Sequence, residues 1–181
     1  MKQILTLRSV EWLLKGVSFI LILSMGIKAL VDVDQSWDTW SYHLPFAARL
    51  WGLATPETYS FSSYWQPRFD GFGLLGEFLQ GFFWFVTGRP ESANLVSFLS
   101  LVIYIYFLRS FFKIPFYLST IALLAIPIVQ VHATSSYVDL PGSIAMSVLI
   151  MMTWALYLRP DEFSKKDLLV LLIGAACAAN M

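Results

Sequence analysis

Five long apolar stretches dominate this sequence and limit the folds open to it. They cover residues 12–31, 71–88, 93–108, 116–131 and 140–158, and a sixth begins at residue 167. About 20 apolar residues in a helix are enough to cross the hydrocarbon core of a bilayer. Because 57% of the residues are apolar and the mean hydropathy is +0.66, a globule of 181 residues could not bury them all. The sequence therefore predicts an all-α, polytopic membrane protein.

The remaining composition excludes several classes of function. The formal net charge is zero and no block of basic residues is present, so nothing indicates a nucleic-acid partner. The single cysteine, Cys177, cannot form a disulfide within the chain. The last apolar stretch ends before it is long enough to span, so we expect the chain to be the front part of a longer protein.

Basic residues predict which side of the membrane each loop occupies. Lys2, Arg8 and Lys15 precede the first stretch, which places the N-terminus in the cytoplasm as an uncleaved anchor; a cleaved signal peptide is the alternative. Both later basic loops become cytoplasmic only if residues 71–88 stay on the outer side. Eight basic residues then lie inside: Lys2, Arg8, Lys15, Arg109, Lys113, Arg159, Lys165 and Lys166. The predicted spans are 12–31, 93–108, 116–131 and 140–158, with an incomplete one from 167.

This arrangement predicts a long outer loop, residues 32–91, with amphipathic helices at the membrane surface. One apolar stripe at helical spacing suggests a helix whose tryptophans dip into lipid; it consists of Trp37, Trp40, Leu44, Ala47, Ala48 and Trp51. Residues 71–88 form a second such helix, in which Glu77 needs a partner. The turn at 132–139 is also predicted to be outside, so the acidic residues of both segments can share one face.

Three aspartates follow the first predicted span. Asp32 and Asp34 point the same way in an extended segment and could hold a divalent cation, although a polar helix boundary explains them equally well. Asp38 lies in a dense run of aromatic and polar residues. It could take a proton from an acceptor hydroxyl, and the alternative is a helix N-cap.

Further candidate residues lie nearby in the loop and in the later turn. His43 and His132 are candidate site residues, or structural histidines. Arg68, next to Asp70, could hold a lipid phosphate or simply contact headgroups. Asp139 precedes Pro141, so helix initiation is the alternative to a second functional carboxylate.

The order of these segments resembles the GT-C superfamily of integral membrane glycosyltransferases. Trp37-Asp38 followed by Tyr42-His43-Leu44-Pro45 looks like the first-loop signature of bacterial members. The stretch from Gln66-Pro67 to Gly88 is similar to one that often reads HPPL, although Pro67-Arg68 stands here in place of the proline pair. Ser136-Tyr137-Val138-Asp139 occupies the position of the second acidic motif.

This resemblance implies a glycosyltransferase that transfers a sugar from a polyprenyl-phosphate-linked donor to an acceptor at the outer face of a bacterial inner or plasma membrane. Because the later half of such enzymes is missing here, we expect these residues alone to be inactive. Asp38 and Asp139 would be the catalytic residues, with a divalent cation possible. Membrane lipids and the lipid-linked donor are the implied partners. Substrate-binding residues would be Tyr42, His43, Arg49, Arg68 and Asp70. A transporter module or a non-catalytic assembly subunit is the alternative function.

Overall fold

The computed structural model describes the backbone of residues 2–181 and the side chains of residues 8–181. The side chain of Lys2, used above to predict sidedness, lies outside the described residues. Over residues 2–181 the chain is helical and contains no strand, which confirms the all-α prediction. The helices are α1 (Lys2–Val31), α2 (Leu44–Leu50), α3 (Gln66–Gly71), α4 (Leu75–Thr87), α5 (Leu95–Phe112), α6 (Phe116–Leu124), α7 (Pro127–His132), α8 (Asp139–Leu158) and α9 (Lys165–Asn180). A π-helical turn (Thr39–His43) and two 3-10 turns (Pro90–Asn94 and Pro160–Glu162) join them.

Three helical segments are long and apolar enough to cross a membrane: Arg8–Val31, Pro90–Phe112 and Asp139–Leu158. Large apolar side chains on them point away from the protein, with Trp12 71%, Ile103 64% and Tyr157 76% exposed. Exposed apolar surface on this scale is consistent with a membrane protein. Which segments lie on which side of the membrane, and the outer loop itself, stay predictions.

The predicted span 116–131 is not one helix. Helix α6 ends at Leu124, Ile126 is extended, and α7 starts at Pro127. Proline has no N–H for the helical ladder and disfavours helical backbone in the residue before it, so the helix breaks at this point. The Gln130 side chain donates a hydrogen bond of 2.5 Å to the Leu124 carbonyl that the break leaves free.

The long helices pack around a small apolar core. Helix α1 contacts α5 and α6, while α8 contacts α5 and α9. The buried residues at the centre of this packing are Leu101, Ile105, Leu124, Ala133 and Leu140. This arrangement brings the C-terminal end of α1 beside the start of α5 and the turn before α8.

Helices α2 and α4 form a separate, closely packed pair. A Cβ at Gly81 of α4 would lie only 2.6 Å from the Ala47 carbonyl oxygen of α2, so the two backbones approach at a glycine. Leu44 and Ala48 are buried in the protein as well, whereas Trp37 is 69% exposed. The central part of the apolar stripe is therefore buried within the protein, where α2 packs on α4; whether its tryptophans dip into lipid stays a prediction.

Helix α4 has 13 residues, or about 20 Å at 1.5 Å per residue. That is shorter than the hydrocarbon core, in line with the expectation that residues 71–88 do not span. Gly88 follows the last residue of α4 and caps the helix; its φ of 70° is a left-handed conformation that favours glycine.

Candidate functional site

Ser136, in the turn before α8, joins three other segments of the chain. Its N–H donates to Asp34 Oδ2 at 3.1 Å, and its hydroxyl donates to Asn94 Oδ1 at 2.7 Å. Its carbonyl accepts a bond of 2.6 Å from Gln80 Nε2 of α4. Ser136 is 1% exposed, and its bonds to Asn94 and Gln80 are buried, while the bond to the half-buried Asp34 is partly buried. The segment after α1, the helix α4 and the start of α5 are thereby held against one turn, which we call the Ser136 junction.

Both carboxylate oxygens of Asp34 accept hydrogen bonds at or beside this junction. Its Oδ1 accepts from the Ser36 N–H at 3.0 Å, and its Oδ2 accepts from the Thr39 hydroxyl at 2.5 Å as well as from Ser136. Burial raises the pKa of Asp34, but the hydrogen bonds from Thr39, Ser36 and Ser136 outweigh it and leave the pKa below its usual value. The role of Asp34 in this structure is to connect the first loop to the later turn.

Asp32 and Asp34, predicted as a weak cation site, have different partners. The Asp32 carboxylate is exposed and lies 3.8 Å from Lys28 Nζ, while its carbonyl accepts a bond of 3.0 Å from Asn94 Nδ2. Among residues 8–181, no three or more His, Cys, Asp or Glu side chains are grouped as metal ligands.

The π-helical turn Thr39–His43 determines how the first loop presents its polar side chains. The Leu44 N–H bonds to the Thr39 carbonyl five residues back. Pro45 follows in the first turn of α2 and has no N–H, so it cannot bond to the carbonyl of Ser41 as an α-helix would require. A π turn has about one residue more than an α turn, and such turns are frequent at functional sites. Asp38 precedes the turn and makes no capping hydrogen bond, so the N-cap alternative does not describe it.

The Tyr42 phenol experiences the charges of carboxylates from three segments of the chain. Burial and the nearby charges of Asp38, Asp139 and Glu77 raise its pKa to about 12. The phenol therefore stays protonated at neutral pH and can donate a hydrogen bond. The first-loop segment, α4 and the start of α8 each contribute one of these carboxylates. Neither Asp38 nor Asp139 has a side-chain hydrogen bond or an ion pair among the residues whose side chains are described, and no capping bond is made at the start of α8.

A buried histidine–carboxylate pair lies beside Tyr42. His43 Nδ1 is 2.7 Å from Glu77 Oε1, and the two side chains are 2% and 5% exposed. His43 Nε2, Glu77 Oε2 and Gln80 Oε1 are all buried without a hydrogen-bond partner. Burying such atoms costs free energy unless another group forms a hydrogen bond with them. With Nδ1 engaged by a carboxylate, Nε2 is the histidine nitrogen left to bond a further group.

The two arginines predicted to bind substrate already have contacts within the aromatic loop. Arg49 donates to the Tyr59 carbonyl and lies 4.6 Å from the centre of the Phe61 ring. Arg68 donates to the Tyr64 carbonyl at 2.7 Å and stacks 3.6 Å from the centre of the Tyr64 ring. These contacts give both guanidinium groups a structural role, while several of their N–H donors stay free.

The remaining candidates lie at the edge of this group. Asp70 accepts two bonds of 3.0 and 3.1 Å from Gln66 Nε2, one turn earlier in α3. His132 stacks on Tyr137 with ring centres 5.0 Å apart. The site residues that the structure brings together are thus Asp38, Tyr42, His43 and Asp139, joined by Glu77.

Sequence reasoning did not anticipate the partner of Glu77 or the residues of the Ser136 junction. Glu77 and Gln80 stood out only as polar residues in an apolar helix, and that signal was correct in marking a buried polar face. Asn94 and Ser136 gave no signal, because short polar residues at helix ends are common.

No protein-family model matches the chain, and no curated protein or solved structure is significantly similar to it. The function of the site therefore has to be argued from its geometry and from the chemistry of its residues.

Proposed function

We propose that this protein takes part in glycosyl transfer from a polyprenyl-phosphate-linked sugar to a hydroxyl acceptor at the membrane surface. The observation that supports the proposal is that the charges of Asp38 and Asp139 both act on the Tyr42 phenol, while neither carboxylate is engaged by another described side chain. Unpaired carboxylates beside a protonated phenol can accept a proton and orient a hydroxyl group. The resemblance to GT-C enzymes, which rests on the order of the segments and their motifs, includes the same two aspartates.

Asp38 is the proton acceptor in this mechanism. The acceptor hydroxyl attacks the anomeric carbon of the donor sugar, and its proton passes to the Asp38 carboxylate. A new carbon–oxygen bond forms while the bond from the anomeric carbon to the phosphate oxygen breaks. The polyprenyl phosphate leaves with the bonding electron pair, so negative charge increases on its oxygens.

Tyr42, His43 and Asp139 orient the reacting groups. The Tyr42 phenol can donate a hydrogen bond to a sugar hydroxyl, and Asp139 can accept one. Glu77 holds His43 through Nδ1, which leaves Nε2 for a further hydrogen bond in the same region. Groups held in this way by a second layer of side chains keep the precise geometry that transfer requires.

The surroundings suit a lipid-linked donor. Three helices able to span a membrane carry the site, so a polyprenyl chain could remain in lipid while its phosphate reaches the surface. Arg68 keeps free N–H donors beside the loop and could contact the phosphate oxygens as they gain charge.

Substitution of the proposed proton acceptor tests the mechanism. Membranes of cells that make the full chain are supplied with polyprenyl-phosphate glucose, mannose or galactose, each labelled in the sugar, and loss of label from the lipid phase is followed. We expect Asp38→Asn to slow transfer by at least about 100-fold, the usual contribution of a general base. Asp161→Asn is the matched control, because Asp161 is exposed at the far end of α8.

Two results would contradict the proposal. One is transfer by Asp38→Asn at the rate of the unaltered protein, with both proteins inserted equally in the membrane. The other is failure of the unaltered protein to bind or to use any of the three donors, which would favour an assembly or transport role.

A further inference from the structure

A second polar cavity lies at the opposite end of the long helices. It has a volume of about 530 Å³ and is enclosed by α1, α5 and the start of α6, within the size range of small-molecule sites. Lys15, one of its lining residues, is 17 residues before Asp32, or about 25 Å along the chain at helical rise. This cavity is therefore separate from the Asp38–Asp139 site.

The cavity carries net positive charge. Arg109 lines it and has no ion pair or hydrogen bond with any residue that the structure describes. Lys15 lines it too, and its Nζ lies 2.8 Å from Glu11 Oε1, so Arg109 supplies the uncompensated charge. The first residues of α6 complete this wall, and the free N–H groups at a helix start also favour an anion.

Apolar side chains form the rest of the lining. Phe19 and Ile22 follow Lys15 along α1, and Phe116 lies at the start of α6. Phe19 is 67% exposed, so this surface is open to the surroundings of the helices. A charged head beside an exposed apolar strip matches a molecule with an anionic group and a hydrocarbon chain.

Another cavity in the chain lacks this combination. A cavity of about 520 Å³ between α5, α8 and α9 is lined by one basic residue, Arg159, and by two acidic ones, Glu162 and Asp167. Arg159 already lies 3.5 Å from Glu162. That cavity has a net negative lining and would repel an anionic group.

We infer that the cavity between Lys15 and Arg109 binds the headgroup of an anionic glycerophospholipid. The phosphate lies between the Arg109 guanidinium and the start of α6, and one acyl chain follows Phe19, Ile22 and Phe116. The site stands independently of the proposed glycosyl transfer, because it uses none of the same residues. It would connect α1, α5 and α6 through a lipid at the membrane boundary.

Lipid titration of the purified full chain tests this inference. The protein in mild detergent is titrated with phosphatidylglycerol or phosphatidylcholine of the same acyl chains, and bound lipid is measured by native mass spectrometry. We expect clearly tighter binding of phosphatidylglycerol. Arg109→Gln should weaken it about five-fold, as expected for one basic residue near a lipid phosphate. Lys15→Gln should weaken it in the same direction.

Arg159→Gln is the matched control, because it removes an exposed arginine from the other cavity. Binding in this variant should equal that of the unaltered protein. Equal binding of the two lipids, or equal effects of Arg109→Gln and Arg159→Gln, would overturn the inference. Glycerol phosphate, which lacks acyl chains, should bind far more weakly; binding as tight as that of the lipid would identify a site for soluble phosphates instead.

Discussion

The close approach of α2 and α4 makes Gly81→Ala a sensitive probe of the site. A Cβ at Gly81 would lie 2.6 Å from the Ala47 carbonyl oxygen and 2.3 Å from Trp51 Cδ1, whereas ordinary contacts begin at 3.4 Å. The helices must separate by roughly 0.8 Å at the carbonyl, and such overpacking destabilises a protein by about 1–3 kcal/mol. Alanine in a helix interior recovers about 0.5–1 kcal/mol. We therefore expect a net loss of about 1–2 kcal/mol.

Trp51 cannot relieve this clash cheaply, because its Nε1 donates a bond of 2.7 Å to the Phe78 carbonyl of α4. Unfolding is measured by tryptophan fluorescence and circular dichroism as SDS is titrated into mixed micelles. Gly16→Ala is the control: a Cβ there meets nothing within 4 Å, so this variant should be as stable as the original chain or more stable. Equal or greater stability of Gly81→Ala would refute the close packing of α2 on α4.

Two other substitutions test the polar contacts. Hydrogen bonds hold the pKa of Asp34 below its usual value, so the ionised carboxylate stabilises the folded protein at neutral pH. This stabilisation is lost as the pH falls below about 4 and through the lowered pKa. Asp34→Asn should therefore be less stable than the original chain at pH 7, and denaturant titrations should show the difference shrinking toward pH 3. Glu77→Leu leaves His43 buried with both ring nitrogens unpaired and should lower the free energy of unfolding by about 1–3 kcal/mol, and Glu77→Gln should lower it by less. The control is Glu162→Gln, at an exposed position. An equal effect of Glu77→Leu and Glu162→Gln would contradict the buried pair.

The long helices could be predicted from the sequence because each is an uninterrupted apolar run. The same rule failed at residues 116–131, where the apolar run continues through Pro127 but the helix does not. Apolar composition reports burial in lipid or protein, whereas the missing N–H of proline decides backbone geometry. Periodicity likewise identified the apolar stripe around Leu44 and Ala47. It could not show whether a neighbouring helix or lipid packs against that stripe.

The candidate site was predictable in its residue types and less so in its connections. Asp38 is selected by its dense aromatic and polar surroundings and by the family resemblance, and Asp139 by its position before a long apolar run; the charges of both act on the Tyr42 phenol. The bond between His43 and Glu77 joins residues 34 positions apart, and no local pattern indicates such a pair. Asp34 is only a weak candidate cation ligand from the sequence, because the sequence shows its carboxylate but not the two N–H groups and the Thr39 hydroxyl that bond to it.

The Ser136 junction also has a consequence for how a bulky molecule could enter. Moving the turn before α8 would break the bonds to Asp34, Gln80 and Asn94 together, and the last two of them are buried. The opposite flank, residues 52–64, is mostly exposed, and few of its bonds reach beyond the loop itself. A bulky molecule would thus enter by displacement of residues 52–64, while the Ser136 junction keeps the turn before α8 in place.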